Sequence, residues 1–376
     1  MPCAASSTPR RCGRVLDRAV VSGAAQLLTA CQFKPWFYGD SVGLEGLLAA
    51  SEVLGDPFFS GFVLGLGRGV FARDSQWREN DNTVPGRALT QVAVARGDSE
   101  MLVSLATLAA RLNQRPQLRH VPVSMARAGL VAPYSGERLS PLETSLLADP
   151  GPVVYVDCMH FDAPFLSELG RALEDDHLVD EAARIALAYC ALLQQSRGLF
   201  DHFYLERSAR SYVPAWSRGQ GWALLGLVDT LESIGSEHPA SGQLLVALQE
   251  LVAGMARLQL PDGHWRAVAD DDQSPVETST AAFFGAGVFK AIRLGQLDPA
   301  FRDLADRASQ ATIASVDRGG QLRNVSAVVW SSTRSSHYAH VSVDHLVPWG
   351  QGPLLLLCAE LARAHRLRWT PEEELA

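Results

Sequence analysis

The run Tyr155-Val156-Asp157-Cys158-Met159-His160-Phe161-Asp162-Ala163-Pro164-Phe165-Leu166 sets two carboxylates among apolar residues. A carboxyl in apolar company holds its proton more tightly, which is what a general acid working near neutral pH requires. Asp162 has a plain structural explanation: two residues before Pro164, it can cap the helix whose first turn takes that proline. Asp157 has no such duty and is the candidate proton donor and acceptor. A second polar turn, Asn80-Asp81-Asn82-Thr83-Val84-Pro85-Gly86, runs into a helical segment. Asp81 reads there equally well as an N-cap or as a second functional carboxylate.

Trp216-Ser217-Arg218-Gly219-Gln220-Gly221-Trp222 brings two indoles and a guanidinium together at a helix entrance. Sugars present flat C–H faces that aromatic rings can cover, and arginine offers forked donors to carboxylates or hydroxyls. The segment therefore reads as a carbohydrate-binding wall. Glu277-Thr278-Ser279 could open another helix, and the preceding Asp270-Asp271-Asp272 run is a solvated turn rather than a metal site. No metal and no organic cofactor is implied. Isolated histidines such as His120, His264 and His345 read as surface or satisfied groups, whereas His202, between Asp201 and Phe203 and shortly before Trp216, is a candidate site residue.

The elements that must position these groups are helical. Leu, Ala and Val recur at three- and four-residue intervals in 42–54, 88–94, 102–112, 164–173, 180–193, 221–234, 244–258 and 279–294. Strand-like alternation is rare, its best case being 321–330, so the chain reads as all-α. A punctuation phrase recurs at Gly55-Asp56-Pro57, Gly97-Asp98-Ser99, Glu174-Asp175-Asp176, Gly235 to Pro239 and Leu297-Asp298-Pro299, closing one helix and capping the next. Spacings of roughly 40 to 80 residues suggest helix pairs, and six such pairs can close into an (α/α)6 barrel. Two irregular stretches, 115–153 and 318–349, interrupt the pattern, and long loops in compact domains often carry function. No break in composition marks a second domain, so 1–376 reads as one barrel with residues 1–14 as a disordered tail.

Composition excludes other classes. Hydrophobic residues make up 47% and charged residues 20% of the 376, as in ordinary globular chains. The net charge of -8 comes without a basic run, so no nucleic-acid footprint is evident. Six cysteines without CxxC spacing fit a reducing compartment, and no stretch approaches a membrane span. Arg10 and Arg11 precede a weakly apolar run ending Leu28-Thr29-Ala30-Cys31, which has some look of a lipoprotein cleavage box. Asp17 and Arg18 interrupt that run, and 15–28 reads equally as an amphipathic first helix, leaving a cytoplasmic location as the expectation.

Taken together, these motifs resemble the unsaturated rhamnogalacturonyl and unsaturated glucuronyl hydrolases, glycoside hydrolase families 105 and 88. The likeness runs from about Trp36 to Glu360. Trp36-Phe37-Tyr38-Gly39-Asp40 with Gly43-Leu44 is similar to the first aromatic motif, Asp81-Asn82 with Gly86 to the Asp-Asn turn, and Asp157 before Pro164-Phe165-Leu166 to the catalytic aspartate segment. Trp216 to Trp222 resembles the shared WxRGxxW motif, and Gly263-His264-Trp265 with Glu277-Thr278-Ser279 the late pair. The chain departs in a longer Asp81 to Asp157 interval, in lacking a recognisable Gly-Gly-Phe-x-His segment, and in a short stretch between His202 and Trp216.

The resemblance implies a six-hairpin barrel and removal of the 4-deoxy-4,5-unsaturated uronic acid that polysaccharide lyases leave at a non-reducing end. It implies Asp157 and Asp81 as the catalytic pair, with Trp36, Tyr38, His202, Arg218, Trp222, Trp216, Glu277 and Thr278 at the substrate. The partner is an oligosaccharide with a terminal unsaturated uronate. Two alternatives stay open: a sugar epimerase or other glycosidase on the same barrel, and a non-catalytic carbohydrate-binding helical protein.

Overall fold

The computed structural model describes residues 17–33, 38–72 and 85–364; Trp36, Asp81 and the expected tail 1–14 lie outside them. In chain order the helices are α1 (Arg18–Thr29), α2 (Asp40–Leu54), α3 (Pro57–Phe71), α4 (Gly86–Arg96), α5 (Ser99–Leu112), α6 (Pro141–Ala148), α7 (Asp162–Leu173), α8 (Asp176–Leu193), α9 (Ser217–Ile234), α10 (Ser241–Ala256), α11 (Ser279–Arg293), α12 (Arg302–Ala314) and α13 (Pro348–Arg363). Helices α2, α4, α7, α9, α11 and α13 pack side by side in a closed inner ring, and α1, α3, α5, α8, α10 and α12 lie outside it. The architecture is an (α/α)6 six-hairpin barrel. Because inner and outer helices alternate, all six inner helices run the same way, and their N-termini share one mouth.

Local chemistry sets the hairpins. Asp56, Asp98 and Asp175 cap α3, α5 and α8 by accepting from the amides of Phe58, Met101 and His177. Left-handed residues at Gly55 and Gly97 close the helices before two of these caps. The periodicity missed α3, α6, α12 and α13. Helix α3 carries Gly61, Gly65, Gly67 and Gly69, each costing about 0.5–1 kcal/mol of propensity. Helix α13 holds Pro353 and two glycines yet is almost wholly buried between α2 and α11. Tertiary packing overrides both signals.

Strand content is slight: β1 (Gln117–Leu118) with β2 (Val121–Pro122), β3 (Val153–Tyr155) with β4 (Phe203–Leu205) and β5 (Arg210–Tyr212), and β6 (Trp265–Arg266) with β7 (Val276–Glu277). The expected strand at 321–330 is not one. Its backbone donors scatter among unrelated partners, Leu322 N–H to Gln351 Oε1, Ser326 N–H to Glu277 Oε1, Arg323 N–H to Ser315 O and Ala327 N–H to Ser342 O, so no single partner strand forms a ladder.

The two irregular stretches fold onto each other. Leu130 bridges Ser331, Tyr155 Oη lies 2.9 Å from Ser331 Oγ, and Arg334 pairs with Glu137 and Glu143. Together they cover the chain just before Asp157. Burial pushes the Glu143 carboxyl up, but hydrogen bonds from Ser140, Thr333 and Arg334 outweigh it and bring it to about 2. A carboxyl lowered from 4.5 to about 2 stabilises the fold above pH 4.5 and loses that contribution as the pH falls towards 2. Wild type is therefore expected to melt above Glu143→Gln at neutral pH, with the gap closing over that window. A gap that stays constant with pH would show that the charge does not lock the cover.

Candidate active site

Strand β3 delivers the chain into a 3-10 turn, Val156–Met159, that carries Asp157 at the N-terminal mouth of α7. The antiparallel register pairs Tyr155 with Phe203, and Val156 N–H donates to His202 O at 2.8 Å. That register places His202 beside Asp157. Its Nε2 is 3.5 Å from Asp157 Oδ2, with both residues buried.

The tautomer of His202 follows from its other neighbour. Tyr338 Oη accepts from Ser332 N–H at 3.4 Å and lies 2.6 Å from His202 Nδ1. Burial holds the Tyr338 hydroxyl well above its ordinary pKa, so it stays a phenol that can give or take a hydrogen bond; with the Asp157 carboxyl as acceptor on the Nε2 side, it gives its proton to Nδ1. The proton of a neutral imidazole then sits on Nε2, directed at Asp157. Burial also lowers the His202 pKa, against the pull of Asp157, which keeps the ring neutral. Tyr338 gave no signal in the sequence beyond lying in an irregular stretch. A long-range contact of this kind has no local spacing to read.

His202 packs on Trp216 with ring centroids 4.1 Å apart, and Trp216 in turn lies 5.2 Å from the Arg218 guanidinium. Arg218, in the first turn of α9, does not present a free fork. It is 1% exposed and donates to Ser326 Oγ at 2.5 Å, Ala327 O at 3.1 Å and Glu277 Oε1 at 3.4 Å. A cation at a helix N-terminus meets the positive end of the dipole, and buried Glu277 compensates it. Glu277 is itself held by Ser279 Oγ, at 2.8 Å from each carboxylate oxygen. Thr278 donates to Arg323 O at 2.6 Å, tying the start of α11 to the second irregular stretch. Neither Glu277 nor Thr278 caps α11 by its side chain.

The aromatic residues divide. Tyr38 stacks on Trp349 at 4.9 Å, and its hydroxyl feels both Arg218 and Asp157. Trp349 gives its indole N–H to Ser326 O at 3.0 Å. Trp222, expected in the sugar wall, is fully buried on the barrel axis among His160, Phe161 and Phe283, so it supports the wall from below. Asp162 is not the cap of α7. Its carboxylate accepts from Arg115 at 2.6 Å and Tyr189 at 2.8 Å, because the helix begins at Asp162 itself and aims the side chain at α8.

Tyr38, Asp157, His202, Trp216, Arg218, Glu277 and Trp349 thus gather at one mouth, each from the N-terminal side of an inner helix or the short sheet. Such a site offers one carboxyl for proton transfer, a neutral imidazole N–H beside it, and aromatic faces.

The chain is 22% identical over 215 residues to the unsaturated rhamnogalacturonyl hydrolase YesR of Bacillus subtilis, covering 56% of this chain and 60% of that protein. It therefore spans about three fifths of the length of that curated relative. A possible member of family GH105 from Salmonella enterica serovar Paratyphi A superposes with a TM-score of 0.79 at 19% identity, over 97% of this chain and 100% of the other. The unsaturated glucuronyl hydrolase of Bacillus sp. GL1 gives 0.66 at 16% identity, over 93% and 97%. At these identities the structures establish the shared fold. The family model of Glycosyl Hydrolase Family 88 matches residues 17–365, nearly the whole described barrel, and the chain belongs to that family.

Proposed function

We propose that this protein removes a 4,5-unsaturated uronic acid from the non-reducing end of lyase-generated oligosaccharides by hydrating the double bond. The observation that carries the reading is the buried carboxyl of Asp157, 3.5 Å from Nε2 of a His202 ring whose Nδ1 is held by Tyr338. An ordinary glycosidase flanks the scissile bond with two carboxylates, whereas an enol ether needs one group able to give and then take a proton.

In this reading Asp157 protonates C4 and positive charge spreads over C5 and the ring oxygen. Water adds at C5 and gives its proton to the Asp157 carboxylate, restoring the acid. The hemiketal opens to a ketone, C1 is left as a hemiacetal of the next sugar, and its collapse frees that sugar. His202 orients Asp157 through Oδ2 and leaves Oδ1 for the proton in transit. Tyr38 and Trp216 flank the ring, and Arg218 with Glu277 and Thr278 fixes the wall behind it. Asp81 is the proposed second carboxylate, and Trp36 the proposed further aromatic contact.

Incubation with unsaturated disaccharides from a lyase digest is expected to abolish the enol-ether absorbance, with saturated uronides left intact. Release of a saturated uronic acid at a comparable rate would overturn the mechanism, because protonation at C4 requires the double bond. Activity lost in His202 variants and kept in Asp157 variants would favour an epimerase instead.

A further inference from the structure

The catalytic turn has an underside. Three residues after Asp157, His160 caps the turn by donating its backbone N–H to Asp157 O, and its ring points down the barrel axis. The ring is wholly buried against Trp222 and Phe161. It ends between two acids, Nε2 being 3.5 Å from Glu45 Oε1 and Nδ1 4.0 Å from Asp229 Oδ2. Neither ring nitrogen has a hydrogen-bond partner in the protein, so shape and ring contacts hold it.

One helical turn before Asp229, α9 presents Gly226. A methyl group there would stand 2.5 Å from Met159 O and 3.1 Å from His160 N, both backbone atoms of the turn. Real side-chain carbons do not approach backbone so closely, so any residue larger than glycine must lift the turn.

Glu45, His160 and Asp229 also satisfy the spacing of a cation site, but Arg87 fills that role. Its Nη1 lies 3.3 Å from Glu45 Oε2 and 3.5 Å from Asp229 Oδ2, and Lys290 Nζ lies 2.5 Å from Asp229 Oδ1. Burial pushes Glu45 above the ordinary carboxylate range and brings His160 down to about 4, so the ring is a neutral peg beside the charges of Arg87, Asp229 and Lys290.

We propose that Gly226 and His160 form a seat that sets the position of Asp157, Gly226 by backbone contact and His160 as a peg held by packing against Trp222 and Phe161. Both are positioning residues for the reaction proposed above, and the inference rests on that reading. A displacement near 1 Å at reacting atoms costs about 10²-fold in rate.

The test compares Gly226→Ala and His160→Gln with a control, Gly170→Ala, whose new methyl would lie 2.9 Å from Asp175 O in the α7–α8 hairpin at the opposite mouth. On an unsaturated disaccharide, Gly226→Ala is expected to lose about 10²-fold in kcat with KM nearly unchanged, as for a lost transition-state interaction. His160→Gln should fall in the same direction by less, and the control should lower the melting temperature while keeping kcat. Hydrogen exchange at the amides of His160 and Phe161, which bond Asp157 O and Cys158 O, is read in parallel and should quicken in Gly226→Ala alone among the glycine variants.

Unchanged kcat and unchanged exchange in Gly226→Ala overturn the seat, as does a loss confined to KM. If wild type fails to turn over any unsaturated uronide while the exchange result holds, the functional reading falls and the seat stands as architecture.

Discussion

Asp157→Asn is expected to lose about 10²- to 10⁴-fold in kcat on an unsaturated disaccharide while melting near the wild-type temperature. The amide keeps the shape of the carboxyl, and its oxygen can still accept the Nε2–H that His202 directs at it. Asp157 makes no ion pair with Arg or Lys in the described residues, so neutralising it leaves no such cation stranded. What the amide cannot do is give a proton to carbon. Steady-state rates with a thermal melt decide the matter. Retention of most activity would remove Asp157 from the chemistry and leave the family likeness as evidence for the fold.

Arg218→Ala should be the most damaging substitution in the wall, destabilising the protein by about 3–5 kcal/mol. Removing the guanidinium strands the Glu277 carboxylate at 2% exposure and empties the space between Trp216 and Trp349, over which it lies at 5.2 and 5.7 Å. Arg218→Lys should rescue little, because one ammonium cannot reproduce the fork to Ser326 Oγ and Ala327 O. Glu277→Gln should cost less than Arg218→Ala, since the amide oxygen still accepts from Ser326 N–H and Ser279. Denaturant titration of the three variants orders them. An Arg218→Ala protein as stable as wild type would show that the fork contributes nothing net and return Arg218 to a substrate-facing role.

The WxRGxxW segment illustrates where the sequence stopped. It identified Trp216 and Arg218 as a unit, and they do meet across the first turn of α9. It assigned the guanidinium to substrate, because a single segment cannot show that Glu277, 59 residues on, and Ser326, 108 residues on, already claim the donors. Trp222 shows the same limit: an indole six residues from another reads as one wall, yet the helix turns it towards the axis. His202 was chosen for its proximity to Trp216 in the chain, but its pairing with Asp157 comes from the β3–β4 register and its tautomer from Tyr338.

By itself the sequence determined the helical class and the hairpin repeat with its Asp caps, and it singled out Asp157 as a candidate. These are local properties, written in periodicity, cap chemistry and the company a residue keeps within a few positions. The tertiary structure alone decided which groups gather at one mouth and which pair with each other, that Asp162 pins α8 through Tyr189 rather than capping α7, and that Gly226 lies against the backbone of the 3-10 turn. Those outcomes depend on contacts between segments far apart in the chain, brought together only when the ring of inner helices closes.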